Sequence, residues 1–246
     1  MELTEFGRLI GQESRVSILL ALMGGTALPA SELAYRAGVA NQTASSHLNE
    51  LTRGGLIRRR KCGRYHYYEL AGGEVASLIE NLARDLPDRK GGKKRPRIKP
   101  ELKSARFCYD HLAGELGVAI SRGLVAKGAL FLEEESFRLP DNGHRIYEDI
   151  GMDLAVLRLK KRKLCPRCVD WSERLPHVAG SFGAAFAEKM LEHGFIRRSP
   201  NNRSVAVTQA GRSFFSEVLN LDLSFLNRQT AVPEEARRDF LPAETI

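Results

Sequence analysis

Three short groups of cysteine and histidine residues in the second half of this 246-residue chain could bind a metal ion or carry thiol chemistry. Cys108 and His111 are three residues apart, so on a helix they would share one face. Cys165-Pro-Arg-Cys168 could present two thiolates to one ion, and His177 follows. The three cysteines and His111 would form a Cys₃His set suited to tetrahedral Zn²⁺ or another thiophilic metal or metalloid.

The same residues allow other interpretations. Cys165 and Cys168 could form a disulfide or persulfide in a thiol-redox switch, or the cysteines could be buried and inert. Basic residues over 160–163 and at Arg167 predict lowered thiol pKa values, which would favour metal binding and redox chemistry alike. His111 and His177 occupy equivalent positions of an internal repeat, so a structural role fits them as well as ligation does.

The first third of the chain has the spacing of a helix-turn-helix. Ser31 is predicted to cap one helix, Gly38 to form the turn, and Asn41 to cap a second helix over 42–53. Apolar residues at i, i+4 and i+7 give the second helix an inward stripe. Its other face is polar and suited to hydrogen bonds with base edges or phosphates. We expect that face to comprise Gln42, Thr43, Ser45, Ser46, His47 and Asn49.

Two strand patterns, 56–62 and 65–70, flank Gly63 and predict a hairpin after the second helix. Guanidinium and ammonium groups on such a hairpin suit phosphate contact or insertion into a narrow minor groove. The basic residues concerned are Arg58, Arg59, Arg60, Lys61 and Arg64. Helix, turn, helix and basic hairpin in this order predict a winged helix-turn-helix, which places one helix in the DNA major groove.

The segments GQESRVSILLALMGG, ASELAYRAGVANQTASSHLNELTRGGLI and RRRKCGRYHYYEL resemble the ArsR (ArsR/SmtB) family of bacterial transcriptional regulators over about residues 1–84. The resemblance implies a homodimer whose interface is built by the helices over 3–10 and 74–83, and repression that an inducer relieves. Apolar seams on both helices agree with that interface. They comprise Phe6, Leu9 and Ile10 in the first helix, and Val75, Leu78, Ile79 and Leu82 in the second. Two-fold symmetry then predicts a palindromic double-stranded operator.

The sensory residues of the better-known branches of this family have no counterpart here. The arsenic-sensing branch carries Cys-x-Cys at the start of the first helix of the helix-turn-helix, where this chain reads LPASEL. The zinc-sensing branch uses His on the helix after the wing, and residues 73–84 contain none. If the protein senses a metal or a thiol reagent, the site therefore lies elsewhere in the chain.

Composition predicts two domains joined by a basic linker. The formal net charge is +8, and residues 85–103 carry 8 Lys/Arg against 3 Asp/Glu, with Pro and Gly spacing that argues against a helix. We expect a DNA-binding and dimerisation domain over 1–84, the linker over 85–103 and a further domain over 104–246. The sequence shows no apolar run long enough for a membrane span and no signal peptide at MELTEF, so we expect a cytoplasmic protein without a membrane partner.

The second half contains an internal repeat. HLAGELGVAISRGLVAKGAL begins at His111 and HVAGSFGAAFAEKMLEHGFI at His177, and each is followed by a hairpin and helix pattern. The repeat units, about 108–153 and 168–223, are each predicted to form a winged-helix-like fragment, and their small residues predict a close helix pair. The fold class is therefore mainly α with small β-hairpins (α+β): an N-terminal winged helix-turn-helix plus a C-terminal domain of two winged-helix-like repeats.

The sequence thus predicts a sequence-specific DNA-binding regulator, a repressor released when a metal, metalloid or thiol reagent is sensed through the C-terminal cysteines. A thiol-redox or persulfide-responsive regulator without metal is the main alternative. A Cys- or zinc-based enzyme tethered to DNA would need a nucleophile, base and orienting group, and no such set is visible. The net charge alone would also fit a non-specific architectural DNA-binding protein.

Overall fold

The computed structural model describes residues 2–62, 65–85, 99–200 and 202–229. The predicted fold class is confirmed, because helices dominate and the strands form only small antiparallel sheets. Two separate groups of buried apolar side chains are present, one within residues 6–76 and one within residues 105–226. Within the described residues, no helix combines the length and apolar character needed to cross a bilayer.

The N-terminal part consists of five helices and one three-stranded antiparallel sheet. The helices are α1 (Leu3–Ile10), α2 (Glu13–Leu22), α3 (Ala30–Ala37), α4 (Asn41–Arg53) and α5 (Gly73–Asp85). The strands are β1 (Leu28–Pro29), β2 (Ile57–Cys62) and β3 (Tyr65–Leu70), and β3 lies between the other two. The pairs Ile57 with Leu70 and Cys62 with Tyr65 fix the β2–β3 register of the wing.

The turn between α3 and α4 forms as its glycine predicts. Gly38 has a φ of 65°, a left-handed conformation that a residue without Cβ adopts without strain. The inward stripe of α4, made by Ala44, Leu48 and Leu51, is fully buried. The predicted caps are wrong, because α3 begins at Ala30 and α4 at Asn41, and neither N-terminus has a side-chain cap. Burial of the stripe therefore positions α4, without help from a capping hydroxyl or amide.

The apolar seam predicted on α1 is largely buried within its own chain. Phe6 and Leu9 are buried inside the N-terminal core of the same chain. On α5, by contrast, Leu78 and Leu82 are 38% and 39% exposed. Only the second of the two predicted seams therefore leaves large apolar side chains at the surface of one chain.

In the residues that the structure describes, the C-terminal part consists of helices of different lengths and four two-stranded hairpins. The helices are α6 (Pro100–Ser104), α7 (Gly114–Ala126), α8 (Arg145–Asp149), α9 (Leu154–Arg158), α10 (Gly180–Glu192), α11 (Gln209–Glu217) and a 3₁₀ helix (Ser224–Gln229). The hairpins are β4 (Arg106–Cys108) with β5 (His111–Ala113), β6 (Phe131–Leu132) with β7 (Phe137–Arg138), β8 (Arg167–Val169) with β9 (Pro176–Val178), and β10 (Ile196–Arg198) with β11 (Val205–Val207).

The predicted linker over 85–103 is described only at its ends. Residues 86–98 lie outside the described residues, and the last part of the linker forms the start of α6. The expectation of no helix is therefore wrong at Pro100, which occupies the first turn of α6, where its missing N–H is not needed.

The two halves of the C-terminal part repeat the same order of elements. In each half a hairpin (β4–β5 or β8–β9) leads directly into a long helix (α7 or α10), which is followed by a second hairpin. The halves are exchanged against each other, because α7 packs on β9 and α10 packs on β5. The hairpins β4–β5 and β8–β9 therefore meet in the middle of the domain.

The repeated glycines do not produce the predicted helix pair. A Cβ on Gly117 would collide with the carbonyl of Leu112, and one on Gly183 would lie 2.6 Å from the carbonyl oxygen of Val178. Each glycine thus lets its helix approach the strand that precedes it. The small residues bring helix and hairpin together, and they hold the two central hairpins in place.

The N-terminal and C-terminal parts meet where the β4–β5 turn touches the end of α2. The backbone N–H of Tyr109 donates to the carbonyl oxygen of Met23 at 2.7 Å. Gly25, with a φ of 69°, lies so close to Tyr109 that a Cβ would collide with the Tyr109 carbonyl. Arg198 donates to the Gly24 carbonyl at 2.8 Å. We call these contacts the junction.

Candidate DNA-binding surface and Cys/His cluster

Helix α4 exposes five of the six polar residues that the sequence predicts to face DNA. The inward stripe fixes the rotation of the helix, so the opposite face points to solvent. We call this exposed set the recognition face. It comprises Gln42, Thr43, Ser45, Ser46 and Asn49.

The prediction that His47 belongs to this set is wrong. The side chain is only 8% exposed. Nε of Arg15 donates to its Nδ1 at 3.3 Å, which leaves Nε2 to donate to Ser14 Oγ at 2.9 Å. Burial and the adjacent guanidinium lower the pKa of His47, so the ring is neutral. His47 therefore ties α4 to α2 and does not reach a groove.

The wing presents exposed basic side chains next to the recognition face. Arg58, Arg59, Arg60 and Lys61 are all exposed on β2, while Arg64 lies outside the described residues. Glu69 on the neighbouring strand pairs with Arg58 at 3.4 Å and with Arg60 at 3.3 Å. Among the described residues, Arg59 and Lys61 have no acidic partner. These two side chains are therefore the ones that can neutralise phosphates without first losing an ion pair.

Four of the five predicted metal or thiol residues come together where the central hairpins meet. One donor atom from each lies within 4.8 Å of the donor atoms of the other three. We call this set the Cys/His cluster. It consists of Cys108, His111, Cys168 and His177.

Hairpin register, and not a helix, brings each cysteine beside its histidine. Cys108 pairs with His111 across β4–β5, and Cys168 pairs with His177 across β8–β9. The interpretation of Cys108 and His111 as helical neighbours is therefore wrong, although they are adjacent. Residues paired directly across antiparallel strands point to the same face of a hairpin. Each repeat thus supplies one thiol and one imidazole.

Cys165 does not join the cluster. It is buried in the apolar core of the C-terminal domain. Burial raises the pKa of its thiol to about 12, so it stays protonated at neutral pH. The predicted Cys₃His set is therefore wrong in one member, since His177 takes the place of Cys165 and the set is Cys₂His₂.

The centre of the cluster is closely packed and buried. Nε2 of His111 lies 3.2 Å from Nε2 of His177, and the two rings stack with centroids 5.1 Å apart. Nδ1 of His177 is buried without a hydrogen-bond partner. Cys108, His111 and His177 are all buried, and Cys168 is half-buried. The four donor atoms are therefore close enough together to surround one small ion.

The Cys108 and Cys165 thiols do not have the lowered pKa values that the basic flanking sequence predicts. The hydrogen bond with Cys168 and burial raise the pKa of Cys108 far above its usual value. The Arg162 guanidinium, one of these flanking basic groups, pairs with the Asp110 carboxylate. Reactive thiols are exposed and have lowered pKa values, so these surroundings do not favour spontaneous oxidation of Cys108.

A fully buried ion pair lies beside the cluster. Arg106 donates to Asp170 at 2.8 Å, and neither side chain is exposed. Asp170 also accepts the backbone N–H of Gly114 at 2.7 Å and both the N–H and the hydroxyl of Ser172. Burial opposes ionisation of Asp170, but Arg106 lowers its pKa well below the usual value. The Arg106 guanidinium also lies 5.0 Å from the ring of Trp171.

Comparison with known proteins gives one domain match and one relative over nearly the full length. The helix-turn-helix domain family HTH_20 matches residues 10–60. The uncharacterized HTH-type transcriptional regulator YdfF of Bacillus subtilis (strain 168) is 40% identical over 222 residues. That alignment covers 90% of this chain and 98% of the relative.

Similar solved structures cover about a third of the chain. Reduced HlyU from Vibrio cholerae N16961 is 32% identical over 33% of this chain and 84% of its own, with a TM-score of 0.30. The homodimeric winged helix-turn-helix domain of Mb0332 from Mycobacterium bovis, described as a possible ArsR-family regulator, is 30% identical. It covers 32% of this chain and 73% of its own, with a TM-score of 0.31.

Proposed function

Because the chain belongs to the family of helix-turn-helix transcriptional regulators that includes YdfF, we propose that it represses transcription by binding a palindromic operator as a homodimer, and that a ligand of the Cys/His cluster releases it. The predicted regulator with a helix-turn-helix is confirmed by the family, which also places the chain among regulators and not among enzymes. The proposal depends most on one observation: the recognition face and the unpaired basic groups of the wing are exposed on the same domain.

The recognition face and the wing have different roles in DNA binding. Hydroxyl and amide side chains on the recognition face can read base edges in the major groove, where each base pair presents a distinct pattern. Basic side chains of the wing contact phosphates or enter the minor groove, which adds affinity for every sequence. Specificity therefore depends on α4, and the sequence-independent part of the affinity depends on β2.

The recognition face is tested by the double variant Ser46→Ala, Asn49→Ala. We expect it to reduce the preference for the operator over random duplex by about tenfold or more, because each lost base contact costs about 1–3 kcal/mol. The measurement is a titration of both duplexes at fixed salt, with the operator selected from a random library by the wild-type protein. His47→Ala is unsuitable here because it would disturb the packing of α2 on α4.

Arg59→Ala is the comparison variant for the same titration. It should weaken binding to operator and random duplex by similar factors and flatten the salt dependence. If both variants lowered operator and random binding equally, the proposed division between α4 and β2 would be wrong.

The dimer interface is proposed on α5. Leu78 and Leu82 are one helical turn apart and partly exposed, as expected of a face covered by a second copy. We expect Leu78→Glu, Leu82→Glu to give a monomer by analytical ultracentrifugation and to lose operator binding. Val156→Glu, Leu159→Glu is the matched control, since both residues are exposed near α9. A monomeric wild-type protein, or dissociation by the control alone, would exclude this interface.

Sensing is assigned to the Cys/His cluster because it holds the described thiols that lie beside imidazoles. A metal or metalloid fits these buried donors better than a thiol-redox signal does. Two sulfur and two imidazole nitrogen donors lie within 4.8 Å of one another, a mixed set that a thiophilic metal binds and that a disulfide switch would not need. Operator titrations with added metal and, separately, with a mild oxidant distinguish the two signals.

A further inference from the structure

We propose that the Cys/His cluster is a tetrahedral Zn²⁺ site, and that metal occupancy is transmitted to the DNA-binding domain through the Tyr109–Asp110 turn at the junction. The metal site follows from the donor set and its geometry alone. The transmission rests on the proposed function, because it concerns the affinity for an operator.

The donor chemistry selects the ion. Two thiolates and two imidazoles are a common ligand set of structural zinc, and they disfavour Mg²⁺ and Ca²⁺, which prefer oxygen ligands. Four protein ligands leave no open position for a reacting water, which agrees with a regulator and not with a zinc enzyme. Two thiolates also neutralise one Zn²⁺, so the buried complex carries no net charge.

The spacing of the donor atoms fits a tetrahedron. With Zn–N bonds of about 2.0–2.1 Å, two nitrogen ligands of a tetrahedral ion lie about 3.3–3.4 Å apart. The observed separation between Nε2 of His111 and Nε2 of His177 is 3.2 Å. All four donor atoms lie within 4.8 Å of one another, so small side-chain rotations complete the set.

The surroundings of the histidines also fit ligation. Two Nε2 atoms at this distance can share one proton in an N–H···N hydrogen bond, or both can bind one cation. Nδ1 of His111 lies 3.4 Å from Oδ1 of Asp110, the carboxylate partner that metal-bound imidazoles commonly have. Arg162 holds that carboxylate from the other side. Binding is an exchange of protons for metal: both thiol protons and any proton on the two Nε2 atoms leave these ligand atoms for solvent, and no atom is oxidised or reduced.

The route to the DNA-binding domain is short. Cys108 and His111 flank the two-residue turn whose Tyr109 N–H binds Met23 at the end of α2. The backbone of Gly25 packs directly against Tyr109, so the turn cannot shift without moving the α2–β1 connection. Helix α2 in turn holds α4 through the Arg15–His47 contact. An ion that fixes the two ligands therefore also fixes the turn on which the N-terminal domain rests.

The site is tested with Co²⁺ as a spectroscopic probe in the metal-free full-length chain. We expect one Co²⁺ per chain, with the intense visible bands of a tetrahedral ion, a thiolate charge-transfer band, and displacement by Zn²⁺. Cys168→Ser and His177→Gln should each lower the affinity at least about 100-fold. Cys165→Ala, from the same Cys-x-x-Cys, should leave it unchanged, and circular dichroism of each metal-free variant verifies folding.

Two results would overturn the site. One is the absence of these bands in folded wild-type protein together with the absence of zinc in protein purified without chelator. The other is a loss in Cys165→Ala as large as that in Cys168→Ser, since the structure places Cys165 in the apolar core.

The transmission is tested with the operator duplex. In the proposed function, a ligand of the Cys/His cluster releases the repressor from its operator. Zn²⁺ should therefore lower operator affinity at least tenfold in the wild type and should have no effect in Cys168→Ser. An equal operator affinity with and without Zn²⁺ would refute transmission while the Co²⁺ spectrum still reports the site. Failure to bind any duplex would instead contradict the proposed function, and the metal titration would again be unaffected.

Discussion

Replacing Asp170 with Asn is expected to lower the free energy of unfolding by about 3–5 kcal/mol, because it breaks a fully buried ion pair. The change removes the only charge that faces the buried Arg106 guanidinium among the described residues. It also replaces an acceptor of bonds from Arg106, Gly114 and Ser172 with an amide that can accept only through one oxygen. A buried cation without its partner cannot recover the solvation it lost on folding.

Chemical denaturation in the presence of a chelator measures this effect without a contribution from bound metal. Asp141→Asn is the matched control, because Asp141 is exposed and the change should have almost no effect. The double variant Arg106→Met, Asp170→Asn should lose less than the sum of the two single variants, because no uncompensated charge remains. Additive losses would show that the ion pair does not act as a unit.

Removing Arg59 and Lys61, the basic side chains of the wing without an acidic partner among the described residues, should have the largest effect on DNA affinity. For Arg59→Ala, Lys61→Ala we expect about 30-fold weaker binding at 0.15 M salt, because each phosphate contact contributes about 0.9 to the salt slope. The plot of log K against log salt concentration should become shallower, with the magnitude of its slope reduced by about 1.8. Fluorescence anisotropy over a range of salt concentrations gives both quantities from one series.

Arg122→Ala, Lys127→Ala removes one arginine and one lysine of the same exposed character from α7 and its C-terminal end in the C-terminal domain. This control should leave affinity and slope nearly unchanged. Equal effects of the two double variants would mean that net charge, and not the wing, determines affinity, as in an architectural protein that coats DNA without preference.

The N-terminal domain can be predicted from sequence because its signals are local. The stripe of Ala44, Leu48 and Leu51 fixes which face of α4 is exposed, and Gly38 fixes the turn before it. Sequence reasoning misplaces His47 because its position on the helix allows either orientation. The deciding partners, Ser14 and Arg15, lie more than 30 residues away in sequence.

The Cys/His cluster can be predicted only in part, because its residues come from hairpins that meet through tertiary packing. The Cys-x-x-Cys pattern favours Cys165 as a metal ligand, but its side chain is buried in the apolar core. A signal for His177 is present: in both repeats a histidine precedes the same glycine-rich helix, and a cysteine stands on the strand before it. Two residues separate Cys108 from His111, whereas a longer loop separates Cys168 from His177. This difference in loop length makes the matching Cys and His positions of the two repeats hard to recognise from sequence.

The exchanged packing of α7 on β9 and α10 on β5 means that the duplicated halves are not independent modules. A truncated chain ending between them would expose apolar strand surface on one side and a bare helix face on the other, so neither half should fold alone. Most of this part of the chain must therefore be synthesised before any of it can fold stably. Once folded, it should unfold in a single cooperative transition.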